Sequence, residues 1–272
     1  MLVNGKDITV HVNGVSICYD DLGTGRTPLI FIHGFPFDKS MWNKQFDFFK
    51  EKQRVLTYDI RGFGKSTSNQ EDAGMALYAD DLVKMLDALQ IQKVIACGLS
   101  MGGYILLDAV SRYPERFEAI VLSDTQCIAD SPEGKEKRFK TIEMIQAEGL
   151  NNFAEGFVKN VFCAESLENK KDEVEKIKKV VLDTPKETVI SALMALANRN
   201  ERCTDLSNID IPTLILCGKE DKITPPAQSE FMHGKIANSK ITIIEGAAHL
   251  SNIEQHEKFN ASMKEFISGL SK

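Results

Sequence analysis

Apolar and polar residues alternate at the start of the chain: in residues 8–12, Ile8, Val10 and Val12 are separated by Thr9 and His11. A second strand-like stretch, 15–19, follows directly after Asn13-Gly14. Alternation with period two marks strands with one covered face, and Asn-Gly between two such runs favours a hairpin because both residues tolerate positive φ. Beyond the hairpin the alternation stops, and short unbroken apolar runs occupy 29–32, 55–58, 94–97, 119–122, 213–217 and 241–244. Runs apolar on both faces suit a parallel sheet covered by helices on either side. Between them the spacing predicts helices over 76–89, with Leu82, Met85, Leu86 and Leu89 on one face, over 104–113 and over 259–270. This rhythm predicts a doubly wound α/β fold: a mostly parallel central sheet, an N-terminal antiparallel hairpin and helices on both faces.

One stretch departs from the rhythm. Residues 125–207 hold no convincing strand, and amphipathic spacing predicts helices over 139–147, 153–162, 174–182 and 189–197. The last has a legible start, with Thr184 as cap, Pro185 in the first turn and Glu187 completing a capping box. The expected organisation is therefore a core of 1–124 and 208–272 and a helical cap of 125–207, placed as a lid over the C-terminal edge of the sheet. The Lys- and Glu-rich segments 133–140 and 169–179 are expected to be solvated helix faces.

Composition narrows the function. The chain has 272 residues, 43% hydrophobic and 26% charged, as expected of a soluble α/β domain. A net charge of -6 gives phosphate backbones and anionic lipid no long-range attraction, so neither nucleic acid nor membrane is an expected partner. No apolar run approaches a bilayer span. The first residues, Met1-Leu2-Val3 onward, lack a signal-peptide pattern. Cys18, Cys97, Cys127, Cys163, Cys203 and Cys217 are scattered without a paired spacing, and all six are expected to be reduced thiols in a cytoplasmic protein. Gly64-Lys65-Ser66 imitates the end of a phosphate-binding loop, but the earlier glycine would be residue 59, which is Asp59. Metal and dinucleotide motifs are missing as well, so no metal or cofactor is expected.

The chemistry is concentrated in Gly98-Leu99-Ser100-Met101-Gly102, a G-x-S-x-G between an apolar run and a helix. Such a sharp strand-to-helix turn lifts the serine hydroxyl above the sheet, and the glycines let neighbouring backbone pass. A serine needs a base. Of five histidines, His11 lies in the hairpin, His233 and His256 in helical surface contexts, and His33 in a position suited to bracing a loop. His249 follows the last strand-like run and is the expected base. Asp221, four residues after the run 213–217, is the expected acid; Glu220 is adjacent, and Asp124 remains a rival that an equivalent edge position allows. Backbone N–H groups of Phe35, after the first parallel strand, and Met101 are the expected oxyanion donors. The substrate pocket is expected to include Phe35, Trp42, Cys127, Ile223 and Leu250.

The segments His33-Gly-Phe-Pro, Tyr58-Asp-Ile-Arg61-Gly-Phe-Gly64-Lys-Ser66, Gly98-Leu-Ser-Met-Gly-Gly103, Gly218-Lys-Glu-Asp221 and Gly246-Ala-Ala-His249-Leu-Ser-Asn-Ile-Glu resemble the α/β-hydrolase superfamily across nearly the whole chain. Within it the sequence is similar to esterases of the 3-oxoadipate enol-lactonase type. The resemblance implies a lid after the sixth strand and a Ser-Asp-His serine hydrolase acting on small or medium esters or lactones through an acyl-enzyme. Serine at position 100 separates it from the dehalogenase and epoxide hydrolase branches, and the missing His-Gly-Gly-Pro loop from proline iminopeptidases. An enol-lactone substrate adds a carboxylate, for which Arg138, Lys159, Arg199 and Arg202 are candidate partners. A thioester or carrier-protein ester hydrolase, a cofactor-free perhydrolase and a ligand receptor with a slow triad remain open, as do monomer and homodimer.

Overall fold

The computed structural model describes residues 4–69 and 73–270; Met1, Leu2 and Val3, the start of the N-terminal segment considered above, lie outside the described residues. Strands β1 (Gly5–Val12) and β2 (Val15–Leu22) form the expected hairpin, with Asn13 at φ 46° and Gly14 at φ 76° and Val12 facing Val15 across the turn. Then follow β3 (Leu29–Ile32), α1 (Asn43–Phe49), β4 (Val55–Tyr58), α2 (Met75–Ala88), β5 (Val94–Leu99), α3 (Met101–Arg112) and β6 (Phe117–Ser123). Five helices come next: α4 (Pro132–Glu148), α5 (Asn151–Val161), α6 (Ala164–Asn169), α7 (Lys171–Asp183) and α8 (Lys186–Ala197). The chain closes with β7 (Thr213–Gly218), α9 (Pro226–Lys235), β8 (Ser239–Ile244), α10 (Ser251–Glu254) and α11 (His256–Leu270). The sheet order is β1-β2-β4-β3-β5-β6-β7-β8. The pairs β1–β2 and β2–β4 are antiparallel and all others parallel.

The unbroken apolar runs follow from this topology. Along each inner strand successive side chains enter different cores. Ile30, Ile32, Leu56, Ala96, Ile120, Leu122 and Ile215 pack with Leu82 and Leu86 of α2 and Ile105 and Leu106 of α3. Leu29, Phe31, Val55, Ile95, Cys97, Val121, Leu214 and Leu216 pack on the other face with Trp42, Phe46, Phe259 and Met263. Each fully buried large side chain contributes roughly 1.5–3 kcal/mol, so the strand ends are anchored from both sides. No helix of the described residues is long and apolar enough to cross a membrane.

Two expectations need correction. Thr184 does not cap α8: only Thr184 and Pro185 separate α7 from α8, and the Thr184 hydroxyl donates back to the Val180 carbonyl at 2.9 Å, closing α7. Pro185 takes the cap position of α8, without a side-chain cap bond. Nor are all six cysteines thiols. Cys127 and Cys203 form a disulfide with their Cα atoms 4.9 Å apart, while Cys18, Cys97, Cys163 and Cys217 are free and buried. Because β6 and β7 are neighbours, with Val121 opposite Leu214, the segment between them must leave and return at one place. Cysteines 76 residues apart thereby become adjacent.

Candidate active site

Strand β5 ends at Leu99 and α3 begins at Met101, leaving Ser100 alone to turn the chain, at φ 54° and ψ -114°. A non-glycine residue is costly in that conformation, and the surroundings enforce it. A Cβ on Gly98 would stand 2.3 Å from the Gly102 carbonyl, and one on Gly102 2.3 Å from the Ile32 carbonyl. The turn closes only because both positions lack side chains. The Ser100 N–H donates to the Ser123 carbonyl at 3.0 Å, tying the turn to the end of β6.

His249 lies on the loop between β8 and α10 and Asp221 on the loop after β7, at 2% and 3% exposure. The His249 Nδ1–H donates to Asp221 Oδ2 at 2.8 Å. Asp221 also accepts from the Ile223 N–H at 2.8 Å, the Thr224 N–H at 3.0 Å and the Thr224 hydroxyl at 2.7 Å. Burial pushes its pKa up, but the adjacent imidazole and the Thr224 donors outweigh burial, so Asp221 stays below the usual carboxylate range. Burial pulls His249 down, while Asp221 and the further carboxylates Asp124 and Glu254 raise it above its ordinary value. With Nδ1 engaged, Nε2 is the ring nitrogen left for a hydroxyl. Asp124 does not take the rival role; its carboxylate accepts from Gly218, Ser123 and Ser251, and the partner of His249 Nδ1 is Asp221.

Ser100, His249 and Phe35 line one cavity of about 650 Å³. The loop after β3 runs close against the serine turn, where a Cβ on Gly34 would be 3.4 Å from the Ser100 Cβ. His33 braces that loop: Nδ1 lies 2.9 Å from the Gly34 carbonyl, and Nε2 accepts from the Ile60 N–H at 2.9 Å. Burial lowers its pKa to about 4, which keeps it neutral. Met101 opens α3, so its N–H has no acceptor within the helix and lies at the helix's positive end. A developing oxyanion above Ser100 would meet that amide and Phe35. Among the described residues the atoms grouped tightly enough to suggest a metal are those of Asp124, Cys217 and Asp221, and both carboxylates already accept hydrogen bonds from protein donors.

A family model described as the alpha/beta hydrolase fold matches residues 27–255. The chain belongs to the α/β-hydrolase family. It is 31% identical over 267 residues to 3-oxoadipate enol-lactonase 1 of Acinetobacter baylyi, covering 98% of this chain and 95% of that one. Among solved structures, a thermophilic esterase from Thermogutta terrifontis, with malate bound, superposes with a TM-score of 0.92 at 33% identity over 97% of both chains. The enol-lactonase from Burkholderia xenovorans LB400 gives a TM-score of 0.90 at 26% identity, covering 96% of this chain and all of that one.

In this α/β-hydrolase the cavity wall differs from the sequence expectation at three positions. Phe35 and Ile223 line it, but Trp42, Cys127 and Leu250 do not. Trp42 and Leu250 are fully buried in the core, the Trp42 ring 4.8 Å from Phe31 and 6.0 Å from Phe259. Their apolar surface was drawn to the larger core rather than to the cavity. Cys127 is held in the disulfide and borders a second, smaller cavity beyond Tyr104. The insert supplies what the sequence did not single out: Phe153 and Phe157 of α5 stand 6.1 Å from the Phe35 ring, and Met144, Leu193 and Leu196 extend the apolar wall. Lys137 and Arg138 of α4 and Lys222 bring positive charge, against Asp130 as the carboxylate of the lining. Arg199 reaches Asp130 from the buried side at 2.7 Å. Lys159 is exposed, and Arg202 is occupied by Asp108 and Asp205. Thr224 was legible in principle, because an aspartate followed two and three residues on by free amides marks a side-chain-closed turn. Glu254 had no such signal; fully buried, it accepts from Ala248 N–H at 2.7 Å and Cys163 N–H at 2.8 Å and so fixes the histidine loop against the insert.

Proposed function

We propose that this hydrolase cleaves small or medium esters and lactones that carry a carboxylate, through an acyl-enzyme on Ser100. The protein is a carboxylic ester hydrolase, and its relatives include esterases and enol-lactonases. His249 takes the Ser100 proton as the serine attacks the carbonyl, and Asp221 holds the resulting imidazolium. The Phe35 and Met101 amides receive the oxyanion. His249 then protonates the departing alkoxide, which in a lactone stays tethered through the acyl chain. A water, activated by the same imidazole, releases the acid. Residues 125–207 act as the lid, with α4, α5 and α8 roofing the cavity.

The observation that carries the substrate class is charge. In a chain of net charge -6, the cavity above Ser100 is lined by three cations, Lys137, Arg138 and Lys222, and one carboxylate, Asp130. That carboxylate is shared by Arg138 and Arg199, whose charges hold its pKa low despite burial. The surplus is positive and shares the cavity with the apolar side chains Phe35, Phe153 and Phe157, which suits a short acyl chain ending in an anion. The malate in the Thermogutta esterase is a dicarboxylate of comparable size. The test is a matched pair of p-nitrophenyl esters, butyrate and hemisuccinate, followed by a panel of neutral and carboxylated lactones. A kcat/KM favouring the anionic member, lost in high salt, supports the reading; preference for the neutral ester refutes it. A cytoplasmic location is part of the same proposal. A reducing compartment would keep Cys127 and Cys203 as adjacent thiols, and thiol trapping in intact cells tests this.

A further inference from the structure

Asp124 is fully buried, sits at φ 43° at the end of β6, and is not needed by the mechanism above. Its bonds connect the two loops that carry the other catalytic groups. Oδ1 accepts from the Gly218 N–H at 2.8 Å, and Gly218 ends β7 three residues before Asp221. Oδ2 accepts from the Ser251 hydroxyl at 2.5 Å, and Ser251 is two residues after His249. The Ser123 hydroxyl donates to the same oxygen at 2.8 Å, and the Asp124 N–H donates to the Leu216 carbonyl at 2.8 Å. One side chain thus fastens β6, the acid loop and the histidine loop. Three donors converge on two oxygens, a demand that a carboxylate meets fully. The two loops also meet directly, through the bond between Asp221 and His249, the Thr224 hydroxyl 3.4 Å from His249 Nδ1 and the Glu220 N–H, which donates to the Ala247 carbonyl at 2.9 Å; Asp124 is the side chain that ties both of them to β6.

We infer that Asp124 is a positioning residue, which sets the Asp221–His249 geometry by clamping Gly218 and Ser251 to the end of β6. This rests on the Ser100–His249–Asp221 reading. The clamp matters because an imidazole displaced by about 1 Å costs on the order of 10²-fold in rate.

The experiment measures kcat, KM and pH profiles for Asp124→Ala, Asp124→Asn, Ser251→Ala and the Asp124→Ala/Ser251→Ala pair, beside Ser100→Ala and Asp221→Ala. Asp124→Ala is expected to lower kcat about 10²-fold with KM nearly unchanged. Ser251→Ala is expected to lower it about tenfold, the factor that one hydrogen bond to a carboxylate carries. The pair should lose no more than Asp124→Ala alone, because both changes remove the same link. Asp124→Asn can still accept from Gly218, while its amide donates to the two hydroxyls, so most of kcat should return. Its acid limb should move to lower pH by a small amount only, because burial and Asp221 raise the pKa of Asp124 to about 7, so it is already partly protonated where His249 titrates. If Asp124→Ala does not fold, Ser251→Ala alone decides. A folded Ser251→Ala or Asp124→Ala with wild-type kcat overturns the clamp while an inactive Ser100→Ala leaves the triad standing. An active Ser100→Ala, or Asp124→Ala as inactive as Asp221→Ala, overturns the triad reading itself.

Discussion

The sheet and the helical insert are built on different terms. Strands β3, β4, β5 and β7 bury every residue they contain. Of the 17 residues of α4 only Ile142 and Ile145 are buried, and of the 13 of α7 only Ile177 and Val181. The sheet is buried on both faces; the insert joins the same two apolar cores along one stripe of each helix, through Val189, Leu193 and Leu196 of α8 on one side and Val158, Val161, Ile177 and Val181 of α5 and α7 on the other, with the Cys127–Cys203 disulfide and the Asp130–Arg199 pair closing its base. The division matches the chemistry. Ser100, Asp221 and His249 stand just beyond the buried ends of β5, β7 and β8. The cations and aromatic rings that would select a substrate stand mainly on the loosely buried helices, where substitution is tolerated.

Substitution should separate the two regions most sharply at the serine. Ser100→Ala is expected to reduce kcat about 10⁶-fold with unchanged thermal unfolding, and Asp221→Ala about 10⁴-fold with a lower melting temperature, because it strips the acceptor from the buried His249 and Thr224 donors. A measurable loss of stability in Ser100→Ala would mean that the strained turn, not the hydroxyl, dominates.

Breaking Cys127–Cys203 should act on stability instead. Closing a loop of this length is worth about 4 kcal/mol in the chain-entropy account. The protein has one tryptophan, Trp42, and it lies in the sheet core. Urea unfolding of the reduced protein should therefore lose helical circular dichroism ahead of Trp42 fluorescence, whereas the oxidised protein should lose both together. Coincident transitions in both forms would show that insert and sheet unfold as one unit.

A smaller effect is expected on selectivity. Arg138→Ala should lower kcat/KM for carboxylated substrates by roughly 10–100-fold, the value of a charge-assisted pair, and leave neutral esters within a few-fold. Equal losses on both would reassign Arg138 to lid structure.

The smallest effects come with pH. His249 must be neutral to act as base, and its folded pKa lies above the ordinary 6.5, so the acid limb of kcat/KM should have its midpoint above 6.5. Because the folded state holds that proton more tightly, His249 contributes stability that is complete below its unfolded pKa and is lost as pH rises through the folded one. Asp221 runs the other way: its lowered pKa contributes stability present above the unfolded 3.8 and lost as pH falls through the folded value. An acid limb centred below 6.5 would contradict the support that Asp221 gives the imidazole.

Much of the sheet was legible because burial on both faces leaves an unambiguous apolar run; the runs 29–32 and 55–58 coincide with β3 and β4. The serine turn was legible because two glycines and a strand-to-helix change coincide at Gly98 and Gly102. Helices α1, α6 and α10 were not foreseen, being seven, six and four residues long; α9 was anticipated only as the helical context of His233, because Pro226–Lys235 carries little apolar periodicity. The disulfide was hidden by sequence distance, since adjacency of Cys127 and Cys203 arises only from the pairing of β6 with β7. Trp42 shows the reverse error: a large aromatic near the candidate site was assigned to the cavity although its surface is better covered by Phe31 and Phe259. Asp130 and Glu254 were missed because their roles lie in shared long-range partners, which local pattern does not encode.

The 4.9 Å between the Cα atoms of Cys127 and Cys203 is little more than the length of one peptide step, about 3.8 Å. Viewed from the sheet, the whole excursion between them has almost no span. The registers of β6 and β7 are set by each other and are indifferent to how long the detour is. A seam of this kind lets the segment between β6 and β7 change length at a single joint without shifting either strand. New selectivities can then be drafted onto an inherited reaction without renegotiating the fold that performs it.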